Sequence, residues 1–326
     1  MERHGLGQAL TAEGSPQRIE SFLALHVAGL TRRQARIMCE QGCILLNGKK
    51  ARSGTIVRAG DQVIITEKIW QPEACPELAA SQRGWSKEQV LYEDDDLLVV
   101  FKPRAMPSMR LRRDDPLTLA DCIAHYCPAC LHASPDAREA GLVQRLDYFT
   151  TGAVLIAKTR TIWNALYAQL LNALIDKKYY ALIEGKPAEA EFTVSLALVQ
   201  LSGVRKMKAI QSASADRYNK VFQAETRVKL LGQLRLSGAL VSLVELNCTR
   251  VRRHQIRVHL AAVGHPLAGD QQYGSQYSSC GLSGVEAGFF LHAAEIAFKH
   301  PVTGNQMLVT APSPELEEIQ RAINDR

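Results

Sequence analysis

The stretch from residue 142 to residue 158, LVQRLDYFTTGAVLIAK, constrains the fold more than any other part of the sequence. Residues 153–157 are all apolar, which is typical of a strand buried on both faces. Asp147 lies just before this run, where the chain changes from polar to buried. A carboxylate at the edge of an apolar strand costs free energy unless it is paired. Asp147 is therefore either a turn residue that caps local backbone or a functional acid.

The composition describes a folded chain. Its 326 residues are enough for two or three domains, and 46% of them are hydrophobic. The sequence contains no apolar run of 18 residues and no apolar signal core in its first 18 residues, so we expect a cytoplasmic protein that does not span a membrane. In that compartment the eight cysteines are expected to be reduced thiols.

Positive charge is concentrated in two segments of a chain whose formal net charge is +6. Residues 32–58 contain seven Lys or Arg and one acid, Glu40. Residues 250–257 contain four arginines and no acid. Such patches suit a polyphosphate partner, and the alternative is an ordinary solvated basic face.

Residues 18–66 predict a small domain of two helices and short strands. An apolar stripe over residues 19–27 predicts the first helix, and Thr31 is a candidate N-cap for a second helix over residues 32–41. The Asn47-Gly48 pair predicts a tight turn between short strands.

This order resembles the S4 RNA-binding domain over residues 31–36, 42–48 and 60–64. The resemblance implies that the start of the second helix and the strand after the Asn-Gly turn present cations to structured RNA. Free backbone N–H groups at a helix start also favour phosphates, and A-form RNA is recognised largely by shape and backbone. The RNA-binding residues predicted for this domain are Arg32, Arg33, Arg36, Lys49 and Lys50.

The segment Arg145-Leu146-Asp147-x-x-Thr150-Thr151-Gly152 resembles the catalytic motif of the RluA-type pseudouridine synthases, His-Arg-Leu-Asp-x-x-Thr-Ser-Gly. In this chain Gln144 replaces the histidine and Thr151 replaces the serine. Three further segments resemble that family: a strand ending at Lys102-Pro103, to which we assign a structural role, the Lys-x-Tyr segment 177–185, and residues 249–274. The resemblance covers nearly the whole chain.

The resemblance implies an isomerase that converts uridine in RNA to pseudouridine. Asp147 is the implied nucleophile, acting at C6 of the base, at C1′ or on a sugar proton. Tyr179 is expected to stack against the uracil, with its hydroxyl as a candidate group near the C5 proton that must leave. Arg257 is expected to hold Asp147 ionised by a two-bonded ion pair. The reaction requires neither cofactor nor metal. The cations expected to contact phosphate around this site are Arg145, Lys177, Arg252 and Arg253.

The fold class implied is α+β, with a large mixed, mainly antiparallel sheet and flanking helices in the catalytic domain, plus a small N-terminal S4-like αβ RNA-binding domain. We predict a flexible tail over residues 1–17, an RNA-binding domain over residues 18–66, a linker over residues 67–88 and a catalytic domain over residues 89–326. We expect a monomer whose partner is RNA, with ribosomal RNA favoured and transfer RNA as the second candidate.

Three alternatives compete with this interpretation. A non-catalytic RNA-binding or assembly protein is suggested by departures from the family motifs at Gln144, Val251 and Arg253, although all three predicted catalytic residues are retained. A nuclease or hydrolase would need a second acidic centre, for which the acidic segment 93–96 is the candidate, but that segment is typical of a solvated turn. A zinc site among the cysteines and histidines of residues 122–132 competes with a packed helix over residues 117–131 that bears free thiols.

Overall fold

The computed structural model describes residues 9–27, 30, 32–40, 42–66, 86–111, 115–201, 206–211, 218, 220–236, 238–248, 251–282, 285 and 287–325, without the side chains of residues 33, 34 and 37. The chain divides into two compact units, Met1–Glu73 and Ala74–Arg326.

The N-terminal unit packs two helices against short antiparallel strands. In chain order its elements are β1 Ala9–Thr11, β2 Gln17–Arg18, α1 Ile19–His26, α2 Arg32–Glu40, β3 Ile44–Leu46, β4 Lys49–Lys50, β5 Ile56–Val57 and β6 Gln62–Ile65. Four of the strands form a sheet in the order β1-β6-β3-β4, and β2 pairs with β5. Apolar side chains from both helices and the sheet, including Phe22, Leu23, Ile44 and Val63, form a common core.

The flexible tail predicted over residues 1–17 is wrong for the residues that the structure describes. Strand β1 pairs with β6 and strand β2 pairs with β5. The reason is the side chain of Leu10, which is buried in the core of this unit. Residues 1–8, the predicted cap Thr31 and residues 67–85 of the predicted linker lie outside the described residues. The predicted linker's last residues, 86–88, belong to a capped 3-10 turn that leads into the catalytic unit.

Nine strands in the described part of the catalytic unit form one sheet. The strands of this unit are β7 Val90–Glu93, β8 Leu97–Lys102, β9 Thr151–Ala157, β10 Asp176–Glu184, β11 Glu191–Val194, β12 Ala197–Gln200, β13 Met207–Ile210, β14 Val221–Phe222, β15 Thr226–Leu236, β16 Ala239–Cys248, β17 Leu291–Lys299 and β18 Gln306–Thr310. The large sheet has the order β11-β15-β16-β10-β17-β9-β8-β7, with β18 also paired to β17. Only the β9–β17 pair among these is parallel. Strands β12, β13 and β14 form a small separate sheet.

Helices accompany this sheet and complete the predicted α+β fold. They are α3 Leu119–Tyr126, α4 Arg160–Leu171, α5 Gln255–Ala262 and α6 Pro314–Asn324. Side chains of α3 and α4 share apolar clusters with strands β8 and β9, and those of α5 share one with β10 and β16. Among the described residues, none of the helices has both the length and the apolar character that crossing a membrane requires.

The cysteine-rich segment forms a short helix followed by a 3-10 turn. Helix α3 ends at Tyr126 and Pro128 begins the turn, since proline lacks the N–H that would continue a helix. Burial raises the pKa of the Cys130 thiol. Cys130 lies in the apolar cluster that α3 shares with β8 and β9.

The middle of the large sheet brings three chain segments together. Thr151 and Gly152 of β9 lie opposite His292 and Ala293 of β17, and Ala293 lies opposite Tyr179 of β10. Gly152 has a φ of 114°, and a Cβ at this position would lie 2.2 Å from the Ala293 carbonyl oxygen. Only glycine fits here. The loop that precedes β9 is therefore held at the centre of the sheet.

Candidate active site

Asp147 lies in the loop before β9, and hydrogen bonds anchor the backbone on both sides of it. The Thr150 N–H donates to the Asp147 carbonyl oxygen at 3.1 Å. The Ser108 hydroxyl donates to the Leu146 carbonyl oxygen at 2.7 Å. The Asp147 side chain itself is 24% exposed. A fixed backbone with an accessible carboxylate is the arrangement that a positioned nucleophile needs.

Lys102 joins the end of β8 to the same loop. Its fully buried ammonium donates to the carbonyl oxygens of Pro103, Met106 and Tyr148 at 2.8, 2.9 and 3.3 Å. Burial lowers the pKa of Lys102 to about 7, although the charge of Asp147 acts in the opposite direction. The side chain connects the backbone that follows β8 to the loop before β9, in line with the structural role expected for it.

Arg257 of α5 contacts two carboxylates, and the predicted two-bonded pair with Asp147 is wrong. Its Nη1 donates once to Asp147 Oδ2, at 3.1 Å. The two-bonded partner is Asp270, which accepts from Nε at 2.7 Å and from Nη2 at 2.9 Å. The Nη2 group also donates to Gln272 at 2.8 Å. Asp270 forms the two-bonded pair because its carboxylate is almost fully buried. A buried negative charge costs more free energy than a partly exposed one unless a cation pairs with it.

Aromatic rings enclose the Arg257 guanidinium. Its central carbon lies 4.8 Å from the ring centre of Tyr273 and 4.7 Å from that of Phe289. Burial alone would lower the pKa of Arg257, but the hydrogen bonds and charges of Asp270 and Asp147 outweigh it and raise the pKa. The guanidinium is thus a permanent cation, fixed by stacking and by ion pairs.

Tyr179 of β10 is buried on the inner face of the sheet, where it is 3% exposed. It belongs to the same apolar cluster as Phe289, and Leu146 packs against that cluster beside the acid. Burial raises the pKa of the phenol, with smaller contributions from Cys248 and Asp147. The structure thus brings the three predicted catalytic residues to one place, although they are far apart in the chain.

His254 is a fourth polar residue at this site that the sequence analysis missed. It precedes α5 and has a φ of 54°. Its Nε2 lies 3.8 Å from Asp147 Oδ1, and its Nδ1 lies 2.7 Å from the hydroxyl of Tyr273. His254 and Asp270 both belong to the motifs that resemble the family, so the sequence could have identified them as site residues. Phe289 had no such signal because it belongs to none of those motifs.

The departures from the family motifs lie in three different environments. Gln144 is partly buried, and its side-chain oxygen has no hydrogen-bond partner among the described residues. Val251 packs against the apolar cluster of Tyr179. Arg253 is exposed. None of these positions interrupts the contacts between Asp147 and Arg257.

The cations predicted to bind RNA in the N-terminal unit are exposed wherever their side chains are described. Arg32, Lys49 and Lys50 all lie at the surface. Arg36 forms an exposed pair with Glu40 at 3.2 Å, which is a weak interaction in water. The side chain of Arg33 lies outside the described residues. The exposed positions leave these cations accessible to phosphate.

Three of the predicted cations in the catalytic unit reach the surface at least in part. Arg145 is half-exposed, with Nη1 3.9 Å from Glu139. The Arg252 guanidinium lies 5.3 Å from the ring centre of Phe222 and is partly buried. Arg253, as described above, is exposed.

The buried position of Lys177 contradicts the phosphate contact predicted for it. Lys177 lies on β10 two residues before Tyr179, so both side chains point to the interior face of the sheet. It is 5% exposed, and burial lowers its pKa to about 8. Alternation along the strand directs this cation away from solvent.

A second group of potential ligands lies at the β7–β8 turn. Among the described residues, Asp94, Asp96 and His300 bring three ligand atoms within 4.8 Å of one another. His300 Nε2 and the hydroxyl of Tyr92 bond to Asp94 Oδ2, at 2.8 and 2.7 Å. The backbone N–H groups of Asp96 and Leu97 donate to its Oδ1. Hydrogen-bond donors of the protein therefore satisfy the Asp94 carboxylate. This carboxylate closes the β7–β8 turn, as expected for the acidic segment 93–96.

Comparisons with known proteins identify the family of the chain. The RNA pseudouridylate synthase family model matches residues 96–262, and the S4 domain model matches residues 17–63. The chain is 31% identical to the uncharacterized RNA pseudouridine synthase YlyB of Bacillus subtilis, over 93% of this chain and 92% of the relative. It is 30% identical to ribosomal large subunit pseudouridine synthase C of Escherichia coli, over 94% of this chain and 92% of the relative.

A solved structure shares the fold of the catalytic unit. The human RNA pseudouridylate synthase domain containing 1 protein aligns with a TM-score of 0.55 and 26% identity, over 72% of this chain and 87% of the human chain. The chain therefore belongs to the RluA-type RNA pseudouridine synthases and is an isomerase of this family with an N-terminal S4 domain.

Proposed function

We propose that the enzyme isomerises uridines of large-subunit ribosomal RNA, with Asp147 as the nucleophile. The observation that carries this proposal is the accessible Asp147 carboxylate, held by Arg257 on one oxygen beside the buried ring of Tyr179. The choice of RNA rests on the name of the Escherichia coli relative, which acts on the ribosomal large subunit. Transfer RNA as a second substrate, the monomeric state and the cytoplasmic location stay predictions.

The reaction breaks the N1–C1′ bond, turns the uracil and joins C5 to C1′. The proton on C5 then leaves and N1 gains one, so that substrate and product have the same atoms. Asp147 must be ionised for any of its three routes, by addition at C6, by attack at C1′ or by removal of a sugar proton. Arg257 supports the ionised form. Asp270 accepts two of the hydrogen bonds that the Arg257 guanidinium donates, and Asp147 accepts one. The Asp147 carboxylate therefore keeps oxygen lone pairs free for the substrate.

Tyr179 would contribute a flat apolar surface to the uracil rather than a base. Its burial raises the phenol pKa, so the hydroxyl stays protonated at neutral pH. A protonated phenol cannot take the C5 proton, but it stacks on a pyrimidine and can donate a hydrogen bond.

The target uridine must be unpaired or extruded to reach Asp147, at a cost of a few kcal/mol. Phosphate contacts would offset this cost. We assign them to Arg145, Arg252 and Arg253 of the catalytic unit, together with the exposed cations of the S4 domain.

The test is an Asp147→Ala variant. Pseudouridine should disappear from the target position because the nucleophile is lost, while the fold should survive since the side chain is partly exposed. The measurement is pseudouridine mapping of ribosomal and transfer RNA from cells that carry either the wild-type or the variant gene, with circular dichroism of both proteins as the control. Unchanged pseudouridine in every RNA would refute the role of Asp147. Loss from transfer RNA alone would overturn the assignment of the substrate.

A further inference from the structure

The imidazole of His254 lies between the candidate nucleophile and a tyrosine. It is 11% exposed, with Nε2 3.8 Å from Asp147 Oδ1 and Nδ1 2.7 Å from the hydroxyl of Tyr273. The two rings meet edge to face, with centres 5.7 Å apart. The backbone of His254 adopts a left-handed conformation, with a φ of 54°. A residue other than glycine adopts this strained conformation only where its surroundings impose it, often at a functional site.

The hydrogen bonds at Tyr273 assign a direction to the one at His254. The backbone N–H of Met207 donates to the Tyr273 hydroxyl oxygen at 3.0 Å. The hydroxyl's own proton is then available for its other partner, Nδ1 of His254. A neutral imidazole accepts at one nitrogen and donates from the other. When the Tyr273 hydroxyl donates to Nδ1, His254 carries its proton on Nε2, the nitrogen that faces Asp147.

The surroundings of His254 favour this neutral form. Burial lowers the pKa of the imidazole, an effect that Asp147 opposes and Arg257 reinforces. The titratable and charged groups that face it are Asp147, Arg253, Arg257, Asp270 and Tyr273. At neutral pH the ring is thus uncharged, and its tautomer depends on the tyrosine.

The two carboxylate oxygens of Asp147 face different N–H groups. Arg257 Nη1 donates to Oδ2 at 3.1 Å, while the His254 Nε2 faces Oδ1 at a distance longer than a hydrogen bond. Catalytic hydrogen bonds are often long in the free enzyme and shorten when substrate binds. An N–H on each side would fix the rotation of the carboxylate about its Cβ–Cγ bond.

We propose that His254 and Tyr273 act as positioning residues, in which the Tyr273 hydroxyl selects the Nε2–H tautomer of His254 and this N–H orients the Asp147 carboxylate for reaction. The proposal deepens the proposed function and rests on the role of Asp147 given there. It assigns a task to the strained histidine, and it connects the small sheet to the active site through the Met207 N–H of β13.

The first test is a Tyr273→Phe variant, which keeps the ring that stacks on Arg257 and removes only the hydroxyl. We expect kcat to fall by about tenfold, in the range typical for loss of a supporting hydrogen bond, while KM for RNA stays the same. The loss should also depend on pH. Below the pKa of His254 the imidazolium bears a proton on both nitrogens, so the N–H toward Asp147 is present with or without Tyr273.

The ratio of wild-type to variant kcat should therefore shrink toward one as the pH falls through the pKa of His254. A purely structural role for Tyr273 predicts a ratio that does not change with pH, and that result would overturn the proposal. A His254→Gln variant should retain more activity than His254→Leu, because glutamine can accept from Tyr273 and donate to Asp147.

A second measurement does not depend on activity. Long-range ¹H–¹⁵N NMR spectra of histidine-labelled enzyme distinguish the two tautomers, and the His254→Gln variant assigns the signal. Wild-type His254 should show the Nε2–H form, and Tyr273→Phe should show a mixture. An Nδ1–H form in the wild type would refute the proposal. If the tautomers behave as expected but Asp147→Ala retains activity, the proposed function fails while the tautomer selection stands.

Discussion

Two buried cations of the catalytic unit, Lys177 and Arg257, contrast with the exposed cations predicted to bind RNA in the N-terminal unit. In the N-terminal unit Arg32, Lys49 and Lys50 are exposed, and the ion pair of Arg36 with Glu40 is open to solvent. In the catalytic unit Lys177 is buried in the sheet. Arg257, predicted there as the partner of the nucleophile, is enclosed by two carboxylates and two rings.

Burial therefore distinguishes a cation that can bind RNA from a cation that pairs with other groups inside the protein. An exposed cation keeps its hydration and exchanges it for phosphate with release of counterions. A buried cation has already lost its hydration, so it must be matched inside the protein or lose its proton. Arg257 is matched by two carboxylates, whereas Lys177 has its pKa lowered to about 8 by burial. Three variants would break or sharpen this contrast.

The largest effect is expected from Arg257→Lys. A lysine places one compact charge where the guanidinium serves Asp147, Asp270 and Gln272 at once. We expect kcat to fall by about 100-fold or more, as when a preorganised charged donor is removed. The free energy of unfolding should fall by only about 2 kcal/mol, because a cation remains beside the buried Asp270. Single-turnover kinetics and urea denaturation measure the two effects. Near-normal turnover would show that the guanidinium geometry is not needed.

An intermediate effect is expected when Arg32 and Lys49 of the N-terminal unit are both replaced by alanine. RNA affinity should weaken and depend less on salt, with the slope of log K against log salt falling by about 0.7–0.9 for each phosphate that is no longer neutralised. The kcat at saturating RNA should not change. The matched control replaces Lys186 and Arg321, which are exposed residues of the catalytic unit. If both double variants shift the slope equally, the N-terminal cations have no special part in RNA binding.

The smallest effect on RNA binding is expected from Lys177→Met. A buried ammonium does not reach phosphate, so affinity and its salt dependence should stay unchanged. The substitution should instead change the free energy of unfolding. The folded pKa of Lys177 is about 8 and the ordinary value is 10.5, so between these pH values the unfolded chain binds a proton that the folded chain has released. Wild-type stability should therefore rise with pH through this window, relative to the variant.

Below pH 8 the folded protein carries the buried charge, and the methionine variant should be the more stable by at most about 3 kcal/mol. That advantage should shrink as the pH rises from 8 to 10.5. Urea denaturation of both proteins at pH 7 and at pH 10 measures the difference. A constant difference, or a loss of RNA affinity like that of the N-terminal variant, would contradict the buried position of Lys177.

Local patterns in the sequence predicted much of the fold because they depend on neighbouring residues. The apolar run 153–157 lies within β9, whose seven residues are all buried, and the apolar stripe after residue 18 forms α1. The same reasoning missed β1, because three residues with one buried leucine carry almost no periodic signal. It also made the helix of the cysteine-rich segment too long, although Pro128 was a visible signal for its end.

The sequence by itself determined which residues are available for chemistry, since the motifs around Asp147, Tyr179 and Arg257 carry the family resemblance. Only the tertiary structure decided how they pair. Arg257 is 110 residues from Asp147 and 13 from Asp270, and it gives two bonds to the second carboxylate and one to the first. The physical reason is that desolvation depends on the whole surroundings of a group. The more deeply buried carboxylate takes the stronger pairing, and the partly exposed one keeps oxygen lone pairs open to solvent.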